Sequence, residues 1–335
     1  GDVCTMPDGE EPALAAPDQA DPELLNRFAW FIRWRSRRDS RVGAERVLDL
    51  TRSGHGPGVE RHAGLAHRTL AWQAVWRGDF DQGKVHGRKA LQRLAGRDAP
   101  SAEADVHGLL AVIHRSRGHH DSAREAVWTG LRCLERGDNT ETRIDLLAAD
   151  AHMFRLIGRI EAARVKLEEA RQLASGTELS RVLHDFAAHH LQVGDREAAT
   201  ECAMRAVVIA QKWENSVVYP YALEVLGACL LSQGRPDRAR DSLTEALGMA
   251  RQDGDIRVEC GVLELLGRLE MSEGKPADCE AHLRAALTLA TRMNYAVSQA
   301  SICRDLARCY EALGDLPAAL RAFKMLDELR AAQRA

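Results

Sequence analysis

The sequence predicts an all-α solenoid, a superhelix of about eight stacked helix-turn-helix units. Three observations predict it. A short turn, with Gly first and a small residue five positions later, occurs at Gly78, Gly118, Gly158, Gly194, Gly234, Gly274 and Gly314, in steps of 40, 40, 36, 40, 40 and 40 residues. Each turn is flanked on both sides by stretches whose apolar residues fall three and four apart. Apolar residues make up 45% of the 335, enough for a core, whereas aromatics are 5%, low for a β-sandwich or barrel.

Within each unit, the Gly allows the left-handed residue on which a helix stops tightly. The next helix begins two or three residues later, often with Asp or Pro in its first turn. In the fifth unit Leu223, Leu226 and Leu230 share a face with Gly227, and Ala239, Leu243 and Ala246 repeat helical spacing after the turn. Small residues fall where the two helices must approach. A single pair cannot bury its apolar face, so neighbours must stack into a continuous core.

A degenerate first unit lies upstream. Trp30, Phe31 and Trp34 fit its first helix and Gly43, Val47 and Leu50 its second, with Ser36 to Ser40 in place of the glycine turn. Trp30 and Trp34 are four apart, which predicts one shared helix face packed in the core. Residues 53–59 read as a flexible loop, and without Lys-Ser/Thr they are no phosphate cradle. Residues 1–22 hold four Pro, six acids and no basic residue, the composition of a disordered or extended tail. The expected division is therefore a tail at 1–22 and a solenoid at 23–335, with the degenerate unit at 23–52 and seven further units at about 62–335.

The repeat resembles the tetratricopeptide (TPR) family. The seventh unit carries Leu306, Ala307, Tyr310, Gly314, Ala319 and Phe323 at that family's positions; the sixth carries Leu263, Leu266, Gly267, Gly274, Cys279, Leu283 and Ala286; the third carries Ala151, Phe154, Gly158, Ala163, Leu167 and Ala170. The departures are His67, Gly83, Gly87, His107, His114, Asp150 and His190, and they predict looser packing in the N-terminal half. The run Tyr310 to Leu320, ending a long array, is similar to the sensory TPR region preceding GGDEF-type diguanylate cyclase domains and to the arrays of MalT/LuxR-type regulators. That resemblance implies a regulatory, protein- or peptide-binding module of a bacterial signalling protein. No GGDEF motif is present, so it implies no cyclase activity. A free-standing adaptor or co-chaperone is the alternative, and a solenoid enzyme the third reading.

Other classes find little support. Formal charge is −3, which argues against a generally basic nucleic-acid binder. No run of 18 apolar residues exists to span a membrane, and the N-terminus lacks the basic and apolar regions of a signal peptide. The missing initial Met reads as a piece of something longer. Only six of the 46 basic residues are Lys, and the Arg and Ala bias reads as a high-GC bacterial genome. Eight cysteines without C-x-x-C, several on apolar helical positions, fit a reducing cytoplasm. His119-His120 and His189-His190 lack partners at zinc spacing, and nucleophile and dinucleotide motifs are absent. No catalytic residue, metal or cofactor is expected.

Function is then expected on the concave wall, from first-helix positions unused in packing. Those are Arg68, Trp72, Arg115, His152, Arg155, Arg181, His184, Tyr221, Arg268, Arg304 and Arg308, with Arg35 and the acids Asp105, Asp145, Glu224, Glu264 and Glu311. Arginine offers a planar fork to carboxylates, so the expected partner is a protein or peptide with an acidic segment. The acidic tail is itself a candidate occupant. The final unit has no polar capping helix, so its exposed edge suits a homodimer contact or a following domain.

Overall fold

The computed structural model describes residues 21–34, 36–52, 54, 57–213 and 217–334. The expected tail lies outside the described residues up to position 20, as does Arg35. Among the described residues there are sixteen α-helices and no strand. They pair as α1 (Pro22–Phe31) with α2 (Arg37–Thr51), α3 (Pro57–Trp76) with α4 (Phe80–Leu94), α5 (Pro100–Ser116) with α6 (His120–Cys133), and α7 (Thr140–Leu156) with α8 (Ile160–Leu173). The second half pairs α9 (Gly176–Val193) with α10 (Arg196–Lys212), α11 (Val218–Ser232) with α12 (Pro236–Asp253), α13 (Ile256–Ser272) with α14 (Pro276–Arg292), and α15 (Ala296–Leu313) with α16 (Leu316–Arg334).

The seven turn glycines do what their spacing predicts. Their φ angles lie between +70° and +83°, where a side chain is strained. The amide following each glycine donates to the carbonyl five residues back, at 2.8–3.0 Å, which closes the helix end. The following helices are opened by Asp caps at Asp79 and Asp195 or by Pro236 and Pro276 in the first turn. Inside a unit, a small residue on the first helix accepts a large one from the second. A Cβ on Gly227 would stand 2.5 Å from Leu243, and one on Gly267 would stand 2.7 Å from Leu283.

The degenerate first unit departs from expectation. Helix α1 stops at Phe31 and a 3-10 turn, Ile32–Trp34, follows. Ser36 then caps α2 through its Oγ, 3.3 Å from the Asp39 amide. Trp30 and Trp34 therefore do not lie on one continuous α-helix, because a tighter turn begins at Ile32, but both pack against the same apolar cluster, as expected. Pro57 opens α3, so the end of the expected 53–59 loop is helical; a fixed proline φ suits a first turn.

Three of the departures from the repeat pattern, His67, Gly83 and His190, are filled by neighbours. His67 is buried with its Nδ1 3.0 Å from that of His86. Gly83 lets Val75 and Ile113 close in, and His190 stacks on Phe186 at the expected aromatic position.

Uniform repeats curve uniformly, and here the curve returns on itself. The α3–α4 turn meets α13 and the α14–α15 junction. Met293 and Ile256 pack against Gly78, whose imagined Cβ would lie 2.5 Å from the Met293 sulfur. Phe80, 1% exposed, meets Tyr295 edge-on with centroids 5.7 Å apart. One apolar cluster thus joins Trp72, Val75, Phe80 and Ile113 to Met293 and Ile302. Nearby, Arg37 donates to Asp255 at 2.7 Å. The expected concave groove is curled into a half-open cavity.

The close approach at Gly227 sets a test of the packing. Gly227→Ala overpacks against a fully buried Leu243 and is expected to cost roughly 1–3 kcal/mol. Denaturant titration measures it, and adding Leu243→Ala to the variant should recover part of the loss relative to the sum of the two single changes.

Candidate functional site

The cavity holds about 600 Å³ and is lined mainly by the first helix of each unit. Its walls follow one register. In α7, Glu141, Asp145, Ala148, His152 and Arg155 stand 17, 13, 10, 6 and 3 residues before Gly158. The same positions supply Asp105, Gly108, Val112 and Arg115 in α5, Arg181, His184, Ala188 and Leu191 in α9, Tyr221, Glu224 and Ala228 in α11, and Arg257, Gly261, Glu264 and Arg268 in α13. Steps of four and three trace a single helix face.

The degenerate unit reaches into this wall. Arg33, 4% exposed, bonds Glu141, and the Trp34 indole N–H donates to the same carboxylate at 2.9 Å. Trp34 lies edge-on to Trp72 and Trp76, and the Arg181 guanidinium sits 4.7 Å from its ring centroid. Burial pushes the Glu141 carboxyl up, but the Arg33 and Arg181 charges and the donated bonds outweigh it, leaving the pKa at about 2.

Most charged wall residues are already partnered. Arg181 pairs with Asp145 at 2.8 Å. Arg268 donates to Asp305 at 2.6 Å and to Glu264. Arg155 donates to the Asp185 carbonyl at 3.4 Å and to His152 Nδ1 at 2.9 Å. Burial, with the Arg115 and Arg155 charges, drives the His152 pKa well below the usual histidine range, so it is a neutral acceptor. Three groups stand apart. Among the described residues, the side chains of Arg115, Arg257 and Glu224 make no hydrogen bond or ion pair. Burial lowers the Arg257 pKa to about 9, which keeps the guanidinium charged at neutral pH.

Of the residues expected from sequence, Trp72, Arg115, His152, Arg155, Arg181, His184, Tyr221 and Arg268 line the cavity. Arg68 lies behind the wall, bonded to Asp105 at 2.9 Å and stacked 3.7 Å from the Trp30 centroid. Arg304 and the exposed Arg308 are outside the lining, because α15 runs past the point where the superhelix closes. Sequence reasoning missed Glu141 and Arg257. Both sit 17 residues before the turn glycine, one helical turn beyond the stripe it followed. It also missed Arg33 and Trp76 as wall residues, which only the closure brings there. No group of His, Cys, Asp and Glu among the described residues could hold a metal, and no helix is long and apolar enough to cross a membrane.

Comparison with known proteins agrees with the architecture. The tetratricopeptide repeat family model matches residues 178–252. No curated protein gives a significant match. Among solved structures, a Rap protein complexed with competence and sporulation factor has a TM-score of 0.72 at 13% identity, covering 94% of this chain and 88% of that one. The Rap conjugation gene regulator of plasmid pLS20, in complex with a Phr peptide, has a TM-score of 0.67 at 15% identity, covering 93% and 95%. The apo form of the quorum sensor NprR from B. thuringiensis has a TM-score of 0.58 at 14% identity, covering 93% and 89%. At these identities the likeness is one of fold, a TPR-type α-solenoid.

Burial first, and then the Asp255 and Glu264 charges, push the Glu224 carboxyl up to about 8. A carboxyl with a raised folded pKa holds a proton that the unfolded chain releases at lower pH. Its contribution to stability is therefore full below about 4.5 and is lost as pH rises through 8. The buried histidines, whose pKa values are lowered, act mainly below pH 6.5. Wild type is thus expected to lose stability relative to Glu224→Gln between pH 6.5 and 8.5, read as diverging denaturation midpoints; parallel midpoints would contradict the assignment.

Proposed function

We propose that the protein is a non-catalytic scaffold whose inner cavity holds a short peptide or an extended segment of a partner protein. In this reading it is the sensing region of a bacterial signalling protein, as the similarity of the Tyr310 to Leu320 run to such arrays suggests. The observation that carries it is a half-open cavity walled by rigid helices, in which the Arg115 and Arg257 guanidinium groups have no hydrogen-bond or ion-pair partner. A cavity of about 600 Å³ falls in the range of small-ligand pockets. An α-helix is 10–12 Å across with its side chains, so an extended segment of a few residues suits the space better than a partner helix. Two of the similar structures hold a bound factor or peptide, which supports the reading by analogy of fold.

The arginines give the ligand its charge. Arg115, with Arg155 and His152 beside it, favours an acidic group. At the far end of the array, Leu316, Leu320 and Phe323 are exposed on α16; this edge supports contact with a second copy or a following domain, and sedimentation of the chain checks it.

A random pentapeptide pool, presented to the immobilised chain and read by mass spectrometry, tests the binding role. Acidic members should be enriched. The enrichment should fall tenfold or more in Arg115→Ala and stay unchanged in Arg238→Ala, an exposed change on α12. Equal enrichment by wild type and Arg115→Ala would contradict the proposal.

A further inference from the structure

Two arginines without a carboxylate partner, Arg115 and Arg257, and one carboxyl without a basic partner, Glu224, face the cavity. Arg257 enters from the first turn of α13. Its guanidinium lies 4.3 Å from the Tyr221 ring centroid and 4.6 Å from that of Trp76. The rings hold it in place without neutralising it, and its N–H edge is left for a further acceptor. Arg115, near the end of α5, is close enough for the two charges to repel. Neither guanidinium has a carboxylate within ion-pair distance, and Asp185, on the same lining, is the acid whose charge Arg115 feels.

Glu224 stands one helical turn beyond Tyr221 on α11. Its Oε1 occupies the place a side chain at Gly261 would need, 2.1 Å from an imagined Cβ. Glycine at 261 thus leaves room for this carboxyl. Its acidic neighbours are satisfied: Asp255 by Arg37, and Glu264 by Arg268 and Ser301. Glu224 alone of the three has no counter-charge, and it forms no ion pair with Arg257 or Arg115. A polar group left without a partner in a shielded site is costly, and a cation seated beside this carboxyl would favour its ionised form.

We propose that the cavity is a bipolar peptide site, in which an anionic group of the ligand seats between Arg115 and Arg257 and a cationic group seats on Glu224. Val112, Val225 and Leu265 on the same wall take the apolar remainder. The assignment rests on the reading that the cavity holds a peptide, and it adds a demand that reading does not make: the ligand carries both signs of charge.

Four pools of pentapeptides with acetylated N-termini and amidated C-termini separate the two. Each pool has small and apolar residues at random plus one Glu and one Lys, one Glu only, one Lys only, or neither. Binding to the full chain is measured by equilibrium dialysis. The doubly charged pool should bind at least tenfold better than either singly charged pool. Glu224→Gln, which keeps the side-chain size, should abolish the advantage of Lys and leave the Glu-only pool unaffected. Arg115→Gln with Arg257→Gln should abolish the advantage of Glu. Equal binding of all four pools by wild type would overturn the bipolar assignment and leave peptide binding standing. Binding of none would overturn both.

Discussion

Gly78 has no side chain, and Met293, more than two hundred residues further along, fills the space where one would stand. The rest of the architecture hangs on this contact and on the Phe80–Tyr295 pair beside it. A solenoid of equal units adds an equal rotation at each step. With a nearly constant step of 40 residues, the α3–α4 turn comes round to face α13 and α15. Gly78 is constrained twice over, by its left-handed φ of +74° and by the approach of Met293. Closing the curve turns a concave face into a cavity and shields the charges on it.

Shielding explains how those charges are arranged. An ion pair inside a protein must recover the loss of hydration through close geometry and further hydrogen bonds. Glu141 does so with Arg33 and the Trp34 indole, Asp105 with Arg68 and Thr142, and Asp255 with Arg37. Two of the three pairs use arginines from the degenerate first unit. That unit is therefore no loose cap: it locks its 3-10 turn to α7 and the start of its second helix to α13. The wall is preorganised by these pairs, and preorganisation lowers the cost of ordering a ligand.

The repeat and its packing were legible in the sequence because each rests on local chemistry. A glycine every forty residues reports a left-handed helix end, and a 3–4 spacing of apolar residues reports a buried face. The inner stripe was legible for the same reason, which is why Arg115, His152, Arg181 and Tyr221 emerged from register alone. Closure was not legible, since the Gly78–Met293 contact depends on a small rotation summed over five units. Everything downstream of closure was hidden with it: Arg257 and Trp76 meeting over Tyr221, and Arg304 and Arg308 falling beyond the cavity. The Trp30–Trp34 pair packs in the core as expected, but its shared α-helical face failed for a different reason. Four-residue spacing implies a shared face only while the helix stays α, and the 3-10 turn at Ile32 breaks that condition.

The return of the superhelix onto itself at Gly78 and Met293 is the central claim, and photo-crosslinking tests it most directly. Asp81 is exposed and borders the cleft that Gly254, Ile256, Arg292 and Met293 form on the opposite side. A benzophenone side chain placed there in dilute monomeric protein should form crosslinks to the 254–256 and 292–293 segments, identified by mass spectrometry. Crosslinks confined to α4 and its sequence neighbours would show an open superhelix and contradict the account.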